Sequence, residues 1–519
     1  MSFIEGDDLT SNWVAPRVEN PVPEFLFRVF LCLQDYAGFK HIVRFGTTYR
    51  KGKRVPRTEK EQGKIEESLV RGREEVTMIS MKGYLEDAVD MARLRRTVDA
   101  DECINLHGMV HNIRDMGRFS FVELRLREGV IQCICDHDTK ISDGQPLQDE
   151  MSIRCTGTVS KDSRAPNGFE VHINEITVLA RPEKPRPVAL GKKRNKLSLE
   201  TELSLRPVVI RHSDQRYLFK LQEGLCRGFR GFLHGEQFTE IHSPKIVSTG
   251  AEGGSNIFKL EYFHRKAYLA QSPQLYKQMM VGVFERVYET GPVFRAEKHS
   301  TVRHLNEYTS LDFEMGFIDS FYDVMNMETA MIQHVFDLLV SEYADALEHL
   351  DIKLACPAEI PVLRFSEAKE RIAERYGFEV KDPNDLEPEE ERLIGRLVKE
   401  DMNSDFVFIT HYPSKKRPFY TMDDPKDPKY SLSFDLLYKG LEITTGGQRI
   451  HAYQQQIDKM LRLGMNPEIF ASYLQAHACG LPPHGGLGIG LERFLMQMAG
   501  KDNIRETSLF PRDLSRLEP

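Results

Sequence analysis

The chain has 519 residues, of which 40% are hydrophobic and 29% are charged, and its formal net charge is −8. This length exceeds what a single hydrophobic core organises, so we expect two or three domains. The negative net charge argues against a protein that coats nucleic acid with its whole surface. No apolar run approaches the length of a membrane span, so no membrane partner is expected. The 8 Cys include no CxxC pair, which favours buried thiols over a metal or redox site.

Residues 1–96 form an N-terminal extension that we expect to be partly mobile. Its first residues, MSFIEGDDLTS, are acidic and lack the apolar segment of a secretory signal, so a cytoplasmic protein is predicted. Residues 50–64 are basic and poor in apolar side chains, which is typical of a mobile segment. Two interpretations of this segment stay open, a solvated linker and an arm that contacts an RNA backbone.

Five short alternating segments predict a small β-barrel, which we assign to residues 97–181. They are INLHGMVHNI, RFSFVELRLR, GVIQCICD, MSIRCTGTVS and FEVHINEITVLA. Five strands of this length fit an OB-fold. Such barrels bind single-stranded nucleic acid through aromatic and polar side chains on their strands, and Arg114, Phe121 and Gln132 could form that surface. A position in the barrel core is the alternative for Phe121.

A proline-rich and then basic segment, residues 182–206, predicts a semi-rigid linker to a second domain at residues 207–519. This domain begins with residues 214–233, in which Leu218, Leu221, Leu225 and Phe229 recur at helical spacing. FTEIHSPKI follows, and we predict a strand there.

Two segments of the second domain carry polar groups suited to a small charged substrate. STGAEGGS combines three glycines with Glu252, which predicts a mobile loop that closes over an ammonium group or, alternatively, a plain surface turn. QSPQLYKQMM begins a helix after Pro273, and Gln274 and Lys277 share one face of it. We expect the ammonium group of Lys277 to favour a substrate carboxylate over a neutral amide.

The most informative segment is residues 291–315, GPVFRAEKHSTVRHLNEYTSLDFEM. Period-two alternation in both halves predicts two strands joined by a long basic loop. The planar fork of Arg295 suits a phosphate group. Arg303 and His304 on the loop can reach outer phosphates, and Tyr308 offers a surface on which a base could stack. A surface hairpin with internal ion pairs is the alternative.

Three later segments complete the pattern. The acidic run DPNDLEPEEE is predicted to be solvated and to have no chemical role. SFDLLYKGLEITTGGQRIH alternates as strands do and carries Glu442, Thr445 and Arg449. In PPHGGLGIGLERF, Gly490 is the last of four glycines and is followed closely by Arg493, so the backbone could approach a ligand or pack against a helix.

Together these segments resemble the three motifs of class II aminoacyl-tRNA synthetases. FRAE–loop–RHLNEY–SLDFEM is similar to motif 2 of the aspartyl and asparaginyl enzymes, with Tyr308 where that family usually has Phe. GIGLERF is similar to motif 3, and Pro244 stands where motif 1 has its proline. QSPQLYKQ resembles aspartyl enzymes of archaeal and eukaryotic type, whereas asparaginyl enzymes usually lack the residue that corresponds to Lys277.

The resemblance implies an α+β fold, with an OB-fold anticodon-binding barrel before an antiparallel sheet flanked by helices. It also implies an aspartate–tRNA ligase, which activates L-aspartate with ATP and transfers it to the 3′-terminal ribose of tRNA(Asp). The implied catalytic residues are Arg295, Glu442 and Arg493. Amino-acid contacts are implied for Glu252, Gln274, Lys277, Arg295, Thr445 and Arg449. ATP contacts are implied for Arg295, Glu297, Arg303, His304, Leu305, Tyr308, Glu442, Gly490 and Arg493.

The same resemblance implies a metal ion, an anticodon contact and further partners. Mg²⁺ on the ATP phosphates would be held by Glu442 and Thr445, the latter in place of the family's Ser. Anticodon contacts are implied for Arg114, Phe121 and Gln132. The implied partners are tRNA(Asp), ATP, L-aspartate and a second copy of the chain, since motif 1 builds the dimer interface of this family. A multi-synthetase complex stays an open alternative.

Two other functions remain as alternatives. An asparaginyl-tRNA synthetase is disfavoured by Lys277. A non-catalytic RNA-binding protein derived from a synthetase would be expected to have lost some of Arg295, Glu442 and Arg493, and all three are present.

Overall fold

The computed structural model describes residues 48–50, 53–55, 91–98, 103–190, 197–250, 256–298, 301–355 and 357–519. The chain divides into two compact units, Met1–Leu85 and Glu86–Pro519. In the first unit, the strands β1 (Thr48–Arg50) and β2 (Lys53–Val55) pair in an antiparallel arrangement. They fall at the start of the basic segment that was predicted to be mobile, and the rest of that segment lies outside the described residues.

The predicted barrel is confirmed in the second unit. Helix α1 (Met91–Thr97) precedes the strands β3 (Cys103–Asp115), β4 (Phe119–Arg125), β5 (Val130–Asp136), β6 (Lys140–Ile141), β7 (Ser152–Lys161) and β8 (Phe169–Ala180). All five expected strands are present, and the two-residue strand β6 is an addition. The strand order is β5-β4-β3-β7-β8-β6, and parallel pairing of β5 with β8 closes the barrel. Leu94 of α1 joins the barrel core, so folded structure begins upstream of residue 97.

Three of the four cysteines on the barrel strands are buried, as predicted, and Cys103 at the start of β3 is exposed. Cys133, Cys135 and Cys155 are free thiols that belong to the barrel core. Burial raises the pKa of Cys135 to about 12, so this thiol is inert at neutral pH.

The segment predicted as a linker contacts both domains, since Arg186 pairs with Asp149 of the barrel and the last residue, Arg206, contacts the second domain. Leu190 is buried, and residues 191–196, which carry the basic side chains, lie outside the described residues. Two short helices follow, α2 (Leu199–Ser204) and α3 (Arg206–Val209). Arg206 is buried and donates hydrogen bonds to the carbonyl oxygens of Leu509 and Glu506 at 2.9 and 3.2 Å. The end of the predicted linker is therefore attached to the C-terminal segment of the second domain.

The second domain is an eight-stranded sheet with helices packed on it. Its first elements are α4 (Ser213–Gly235), β9 (Thr239–Glu240), β10 (Ile246–Val247), β11 (Lys259–Tyr262), β12 (Arg265–Leu269), α5 (Gln274–Phe284), β13 (Arg286–Phe294) and β14 (Glu307–Gly316). The helices and strands that follow are α6 (Phe321–Glu342), α7 (Ala344–His349), β15 (Val362–Arg364), α8 (Phe365–Tyr376), α9 (Pro388–Met402) and β16 (Phe406–Thr410). The last are β17 (Ser433–Tyr438), β18 (Leu441–Gln448), α10 (Tyr453–Arg462), α11 (Ala471–Ala478), β19 (His484–Gly490) and α12 (Leu491–Met498).

The strand order of this sheet is β15-β16-β17-β18-β19-β14-β13-β9. All pairings among its six central strands are antiparallel, as predicted. At the two edges, β15 pairs with β16 and β9 pairs with β13 in parallel, so the sheet as a whole is mixed. A separate three-stranded sheet has the order β10-β12-β11.

Helix α4 confirms the predicted helix, and its Leu218, Leu221, Leu225 and Phe229 all join the main hydrophobic core. The strand predicted for FTEIHSPKI is mostly wrong, because only Thr239–Glu240 and the start of β10 pair as strands. Ser243 donates from its backbone nitrogen to the Glu289 carboxylate at 3.1 Å instead of to a neighbouring strand, and Pro244 has no N–H to donate.

Among the described helices, none combines the length and the apolar character that a membrane span needs.

Candidate active site

A cleft of about 290 Å³ opens on the sheet where β14, β18 and β19 meet helix α12. All of the predicted ATP contacts line it: Arg295, Glu297, Arg303, His304, Leu305, Tyr308, Glu442, Gly490 and Arg493. Of the predicted amino-acid contacts, Gln274, Thr445 and Arg449 line the cleft as well. Lys277 lies behind its wall, and Glu252 lies outside the described residues. The structure therefore brings residues from four separate segments of the sequence to one place.

The hairpin predicted over residues 291–315 is confirmed by β13 and β14, which pair from Arg286↔Met315 to Phe294↔Glu307. Arg295 follows β13 directly, and its N–H donates to the carbonyl oxygen of Asn306 at 2.9 Å. Nδ2 of Asn306 donates in return to the Arg295 carbonyl oxygen at 2.8 Å. These bonds fix the backbone of Arg295 at the edge of the cleft. Its guanidinium carbon lies 5.7 Å from the ring centre of Tyr308.

The polar face of β14 is buried beneath the cleft. Asp312 and Glu314 are 2% and 0% exposed. The ammonium nitrogen of Lys277 lies 2.9 Å from Asp312 Oδ1 and 3.5 Å from Glu314 Oε2. Nε of Arg449 donates to Glu314 Oε1 at 2.9 Å. Burial would raise the pKa of Glu314, but Arg449 and Lys277 together hold it below its ordinary value, so two cations and two carboxylates form a neutral buried cluster.

This cluster changes the picture of Lys277 that the sequence suggested. Lys277 is 1% exposed, and its ammonium group also donates to the carbonyl oxygen of Leu487 at 2.6 Å. Asp312, its carboxylate partner, does line the cleft. A substrate carboxylate that is to reach Lys277 must therefore compete with Asp312.

Two carboxylates and a hydroxyl converge on β17 and β18. Asp435 on β17 is in register with Thr445 on β18, and Thr445 Oγ1 donates to Glu442 Oε1 at 2.9 Å. Asp435 Oδ2 accepts from Arg417 at 2.8 Å, while Oδ1 has no hydrogen-bond partner within the described part of the chain. Burial keeps the pKa of Asp435 above its ordinary value despite Arg417, with a contribution from the nearby charge of Glu442.

This donor set fits Mg²⁺ bound together with phosphates, because that ion takes one or two carboxylates and keeps several waters. The unpaired Oδ1 of Asp435 is the observation that supports the fit. Asp435 and Arg417 were not among the site residues predicted from the sequence. A regular hairpin register drawn for SFDLLYKGLEITTGG would have placed Asp435 opposite Thr444, and a bulge between Leu436 and Leu437 shifts it to Thr445.

Arg303 forms an ion pair with Glu391 at the start of α9. The prediction that the run DPNDLEPEEE is solvated is wrong for Glu390 and Glu391, which are 0% and 6% exposed. Glu390 pairs with Lys369 at 2.7 Å, and Glu391 also accepts the backbone N–H of Glu442 at 3.0 Å. Burial raises the pKa of Glu391 to about 7, although Arg303 opposes this. Helix α9 is amphipathic and buries one side, and the acidic composition of its first turn does not indicate which carboxylates lie on that side.

Arg493 on α12 binds the backbone on both sides of the cleft. It donates to the carbonyl oxygens of Arg303 and Glu442, both at 3.3 Å.

Burial, and then the charge of Arg493, lowers the pKa of His304, so this ring is neutral at pH 7 and offers hydrogen bonds rather than a charge. Its Nδ1 lies 2.6 Å from Thr301 Oγ1.

The glycines of β19 serve two purposes. A Cβ at Gly486 would lie 2.3 Å from a carboxylate oxygen of Glu314, and one at Gly488 would lie 2.9 Å from Asp312 Oδ1. These two glycines make room for the buried carboxylates of β14. At Gly490, which lines the cleft, the nearest atoms to such a Cβ are 3.7 Å away, so this position is the open one.

On the barrel, the three predicted anticodon residues come together. Arg114 pairs in register with Phe121, its guanidinium carbon lies 5.2 Å from the Phe121 ring centre, and it donates to Gln132 Oε1 at 3.2 Å. Phe121 is half-buried and lies outside the barrel core, which rules out the alternative of a core position. Gln132 is 9% exposed and donates to Glu170 at 3.1 Å, so it orients Arg114 rather than facing solvent.

Comparison with known families assigns both domains. Residues 104–179 match the OB-fold nucleic acid binding domain. Residues 198–514, more than half of the chain, match the tRNA synthetases class II (D, K and N). The chain belongs to the class II tRNA synthetases.

Among similar proteins, this class II synthetase is 45% identical over 417 residues to the aspartate–tRNA(Asp/Asn) ligase of Thermus thermophilus, which covers 80% of this chain and 96% of that one. The asparaginyl-tRNA synthetase of Pyrococcus horikoshii, solved with asparaginyl-adenylate, aligns with a TM-score of 0.75 at 29% identity, over 85% of this chain and all of the other. The aspartyl-tRNA synthetase of Entamoeba histolytica aligns with a TM-score of 0.72 at 30% identity, over 82% and 92%.

These comparisons confirm the predicted fold class of the synthetase, an OB-fold barrel before a class II sheet flanked by helices. Because aspartyl and asparaginyl enzymes align almost equally well, the fold by itself does not separate the two amino acids.

Proposed function

We infer that the protein is an aspartate–tRNA ligase. It activates L-aspartate with ATP and transfers the aspartyl group to the 3′-terminal ribose of tRNA. The observation that carries this inference is the cleft. Arg295, Arg303, Arg493 and Glu442 line it, and so do Arg449 and Asp312, which belong to the buried cluster with Lys277 and Glu314. The Thermus thermophilus relative is named an aspartate–tRNA(Asp/Asn) ligase, and this name favours aspartate over asparagine as the substrate.

In the activation step, the substrate's own α-carboxylate attacks the α-phosphorus of ATP, and pyrophosphate leaves. Arg295 steadies the α-phosphate, and Arg303 and Arg493 bind the outer phosphates. Tyr308 stacks on the adenine. Positioning and charge neutralisation carry the rate, so no nucleophilic side chain is required.

Glu442, Thr445 and Asp435 would hold Mg²⁺ together with ATP. The ion supplies charge neutralisation on the phosphates when it is bound. The residues that would hold it lie on two neighbouring strands, and the register of Asp435 with Thr445 places those two side chains on one side of the sheet.

Aspartate selection uses the cationic part of the buried cluster. Arg449 and Gln274 line the cleft and bind the side-chain carboxylate of aspartate, with the charge of Lys277 behind them. Arg449 Nη2 already lies 3.3 Å from Gln274 Oε1, so the two side chains form one surface. A contact between Glu252 and the substrate ammonium group stays a prediction, since that residue lies outside the described part of the chain.

The proposed function is tested by amino-acid-dependent ATP–pyrophosphate exchange, with aspartate and asparagine side by side. We expect exchange with aspartate alone. Exchange with asparagine would make the asparaginyl enzyme the better assignment. Exchange with neither would favour the non-catalytic RNA-binding protein.

The tRNA-dependent step is tested at Phe121. We expect Phe121→Ala to raise KM for tRNA by roughly 5- to 150-fold, because stacking one base on an aromatic ring contributes about 1–3 kcal/mol. The measurement is aminoacylation of tRNA(Asp) and of tRNA(Asn), since the name of the Thermus relative covers both. Phe119→Ala is the matched control, because Phe119 meets the Phe121 ring edge-on at 5.1 Å. An equal loss in both variants would place the effect in the packing of the two rings.

A homodimer is proposed from the exposed apolar surface at the end of α5. Val283, Phe284 and Phe317 are 63%, 47% and 71% exposed and line one shallow groove. Burying side chains of this size against a second copy is favourable. We expect light scattering to give the mass of a dimer, and Phe317→Asp to shift it towards the monomer. A monomeric wild type at micromolar concentration would contradict this proposal.

A cytoplasmic location and membership of a multi-synthetase complex stay predictions.

A further inference from the structure

One buried carboxylate at the junction between the barrel and the catalytic domain binds arginines from three segments. Glu150, in the loop before β7, is 8% exposed. Arg125, the last residue of β4, donates to Glu150 Oε2 at 2.9 Å. Arg211, which precedes α4, donates to the same oxygen at 2.7 Å. Nη1 of Arg186, from the segment that connects the two domains, lies 3.6 Å from Glu150 Oε1.

Two carboxylates oppose the three arginines of this cluster: Glu150, and Asp149, which pairs with Arg186 at 2.8 Å. Burial would raise the pKa of Glu150, but hydrogen bonds from Arg125 and Arg211 hold it below its ordinary value, so the carboxylate is ionised. His111 beside it is neutral at pH 7, because burial and the charges of Arg125 and Arg186 lower its pKa to about 4. Removing the carboxylate would leave guanidinium groups close together without their shared partner, which is unfavourable in a buried site.

The backbone around Glu150 is fixed as well. Its φ is +66°, in the left-handed region that residues with a Cβ rarely adopt, and such a conformation persists only where the surroundings impose it. Its N–H donates to the carbonyl oxygen of Val110 in β3 at 2.6 Å. Glu150 is therefore held by the barrel and presents its carboxylate to the catalytic domain.

A second contact joins the same two elements. Arg216, in the first turn of α4, donates to the carbonyl oxygens of Leu126 and Arg127 at 2.7 and 2.8 Å. Leu126 and Arg127 follow Arg125 directly in the sequence. The end of β4 is therefore attached to the start of α4 twice, through Glu150 and through these two carbonyl oxygens. Phe121 lies on β4 as well, and α4 packs in the core beneath the catalytic sheet.

We propose that Glu150 is a positioning residue that fixes the orientation of the barrel relative to the catalytic domain. In this orientation, one tRNA molecule reaches the anticodon surface and the active-site cleft at the same time. The inference rests on the proposed function. Aspartate activation uses the cleft alone, whereas charging of a complete tRNA uses both surfaces. Loss of the Glu150 contacts should therefore slow the charging of complete tRNA selectively.

The test uses the full chain and three assays: aspartate-dependent ATP–pyrophosphate exchange, charging of complete tRNA(Asp), and charging of an acceptor-stem minihelix without an anticodon. For Glu150→Gln we expect kcat/KM for complete tRNA to fall at least about tenfold, with exchange and minihelix charging unchanged. Arg211→Gln should act in the same direction, and the double variant should lose less than the sum, since both changes remove one interaction. Asp143→Asn is the matched control, because Asp143 pairs at 2.8 Å with Arg181, and both residues belong to the barrel domain.

Two results would overturn the inference. If complete tRNA is charged normally by both single variants, Glu150 does not set the orientation. If exchange and minihelix charging fall as far as charging of complete tRNA, Glu150 maintains the fold and nothing more. The Arg211 side chain is 39% exposed, so Arg211→Gln keeps the test decisive should Glu150→Gln fail to fold. Absence of exchange in the wild type would contradict the proposed function instead.

Discussion

Replacing Arg295 by alanine is expected to slow aspartate-dependent ATP–pyrophosphate exchange by about 10²–10³-fold, the usual loss when one preorganised donor to a developing charge is removed. Two hydrogen bonds with Asn306, at 2.9 and 2.8 Å, fix the backbone of Arg295. Its side chain lines the cleft, with the guanidinium carbon 5.7 Å from the Tyr308 ring centre. Charge that develops on the α-phosphate in the transition state then meets a donor that needs no rearrangement. The loss should appear in kcat as well as in kcat/KM.

Two further variants separate charge from geometry. Arg295→Lys keeps the positive charge and loses the planar fork, so most of the loss should remain. Arg265→Ala removes an exposed arginine on β12 and should leave exchange unchanged. A higher KM for ATP with an unchanged kcat would show that Arg295 binds ATP equally in the ground state and the transition state, contrary to its proposed role.

The elements of the fold that could be predicted are those with a periodic signal. Alternation placed all five main strands of the barrel and the β13–β14 hairpin, and helical spacing placed α4, because burial of one face leaves its period in the sequence. FTEIHSPKI failed because a carboxylate from another strand, Glu289, takes the backbone N–H of Ser243. Pairing of that kind depends on residues far apart in the chain.

The candidate site was predicted from sequence motifs. The motifs identified the site residues but not the side chains that pair with them. Asp435 completes the carboxylate pair only through the register of β17 with β18. Glu391 was hidden in an acidic helix because a composition does not show which side chains face inward. The four glycines of PPHGGLGIGLERF were interpreted as places of ligand approach or of helix packing, and neither interpretation foresaw that Gly486 and Gly488 make room for the carboxylates of Glu314 and Asp312. The sequence could not predict which charged side chains on distant strands compensate each other.

Lys277 gives the second large expected effect, on stability and on aspartate use together. Lys277→Met keeps much of the side-chain volume but leaves Asp312 and Glu314 with one cation fewer in a buried site. Breaking a buried ion pair on one side costs roughly 3–5 kcal/mol in the free energy of unfolding, which urea titration measures. Lys369→Met is the matched control, because Lys369 pairs with buried Glu390 at 2.7 Å on α9, and it should lose stability while keeping exchange.

The double variant Lys277→Met/Asp312→Asn separates the two roles of the lysine. Removing both charges of the pair should restore most of the stability, because the carboxylate is no longer left without its cation. Aspartate-dependent exchange should stay low, since the charge behind Gln274 and Arg449 is still missing. If stability and aspartate exchange return together, Lys277 serves the fold alone, and selection of the substrate carboxylate falls to Arg449, which faces the cleft.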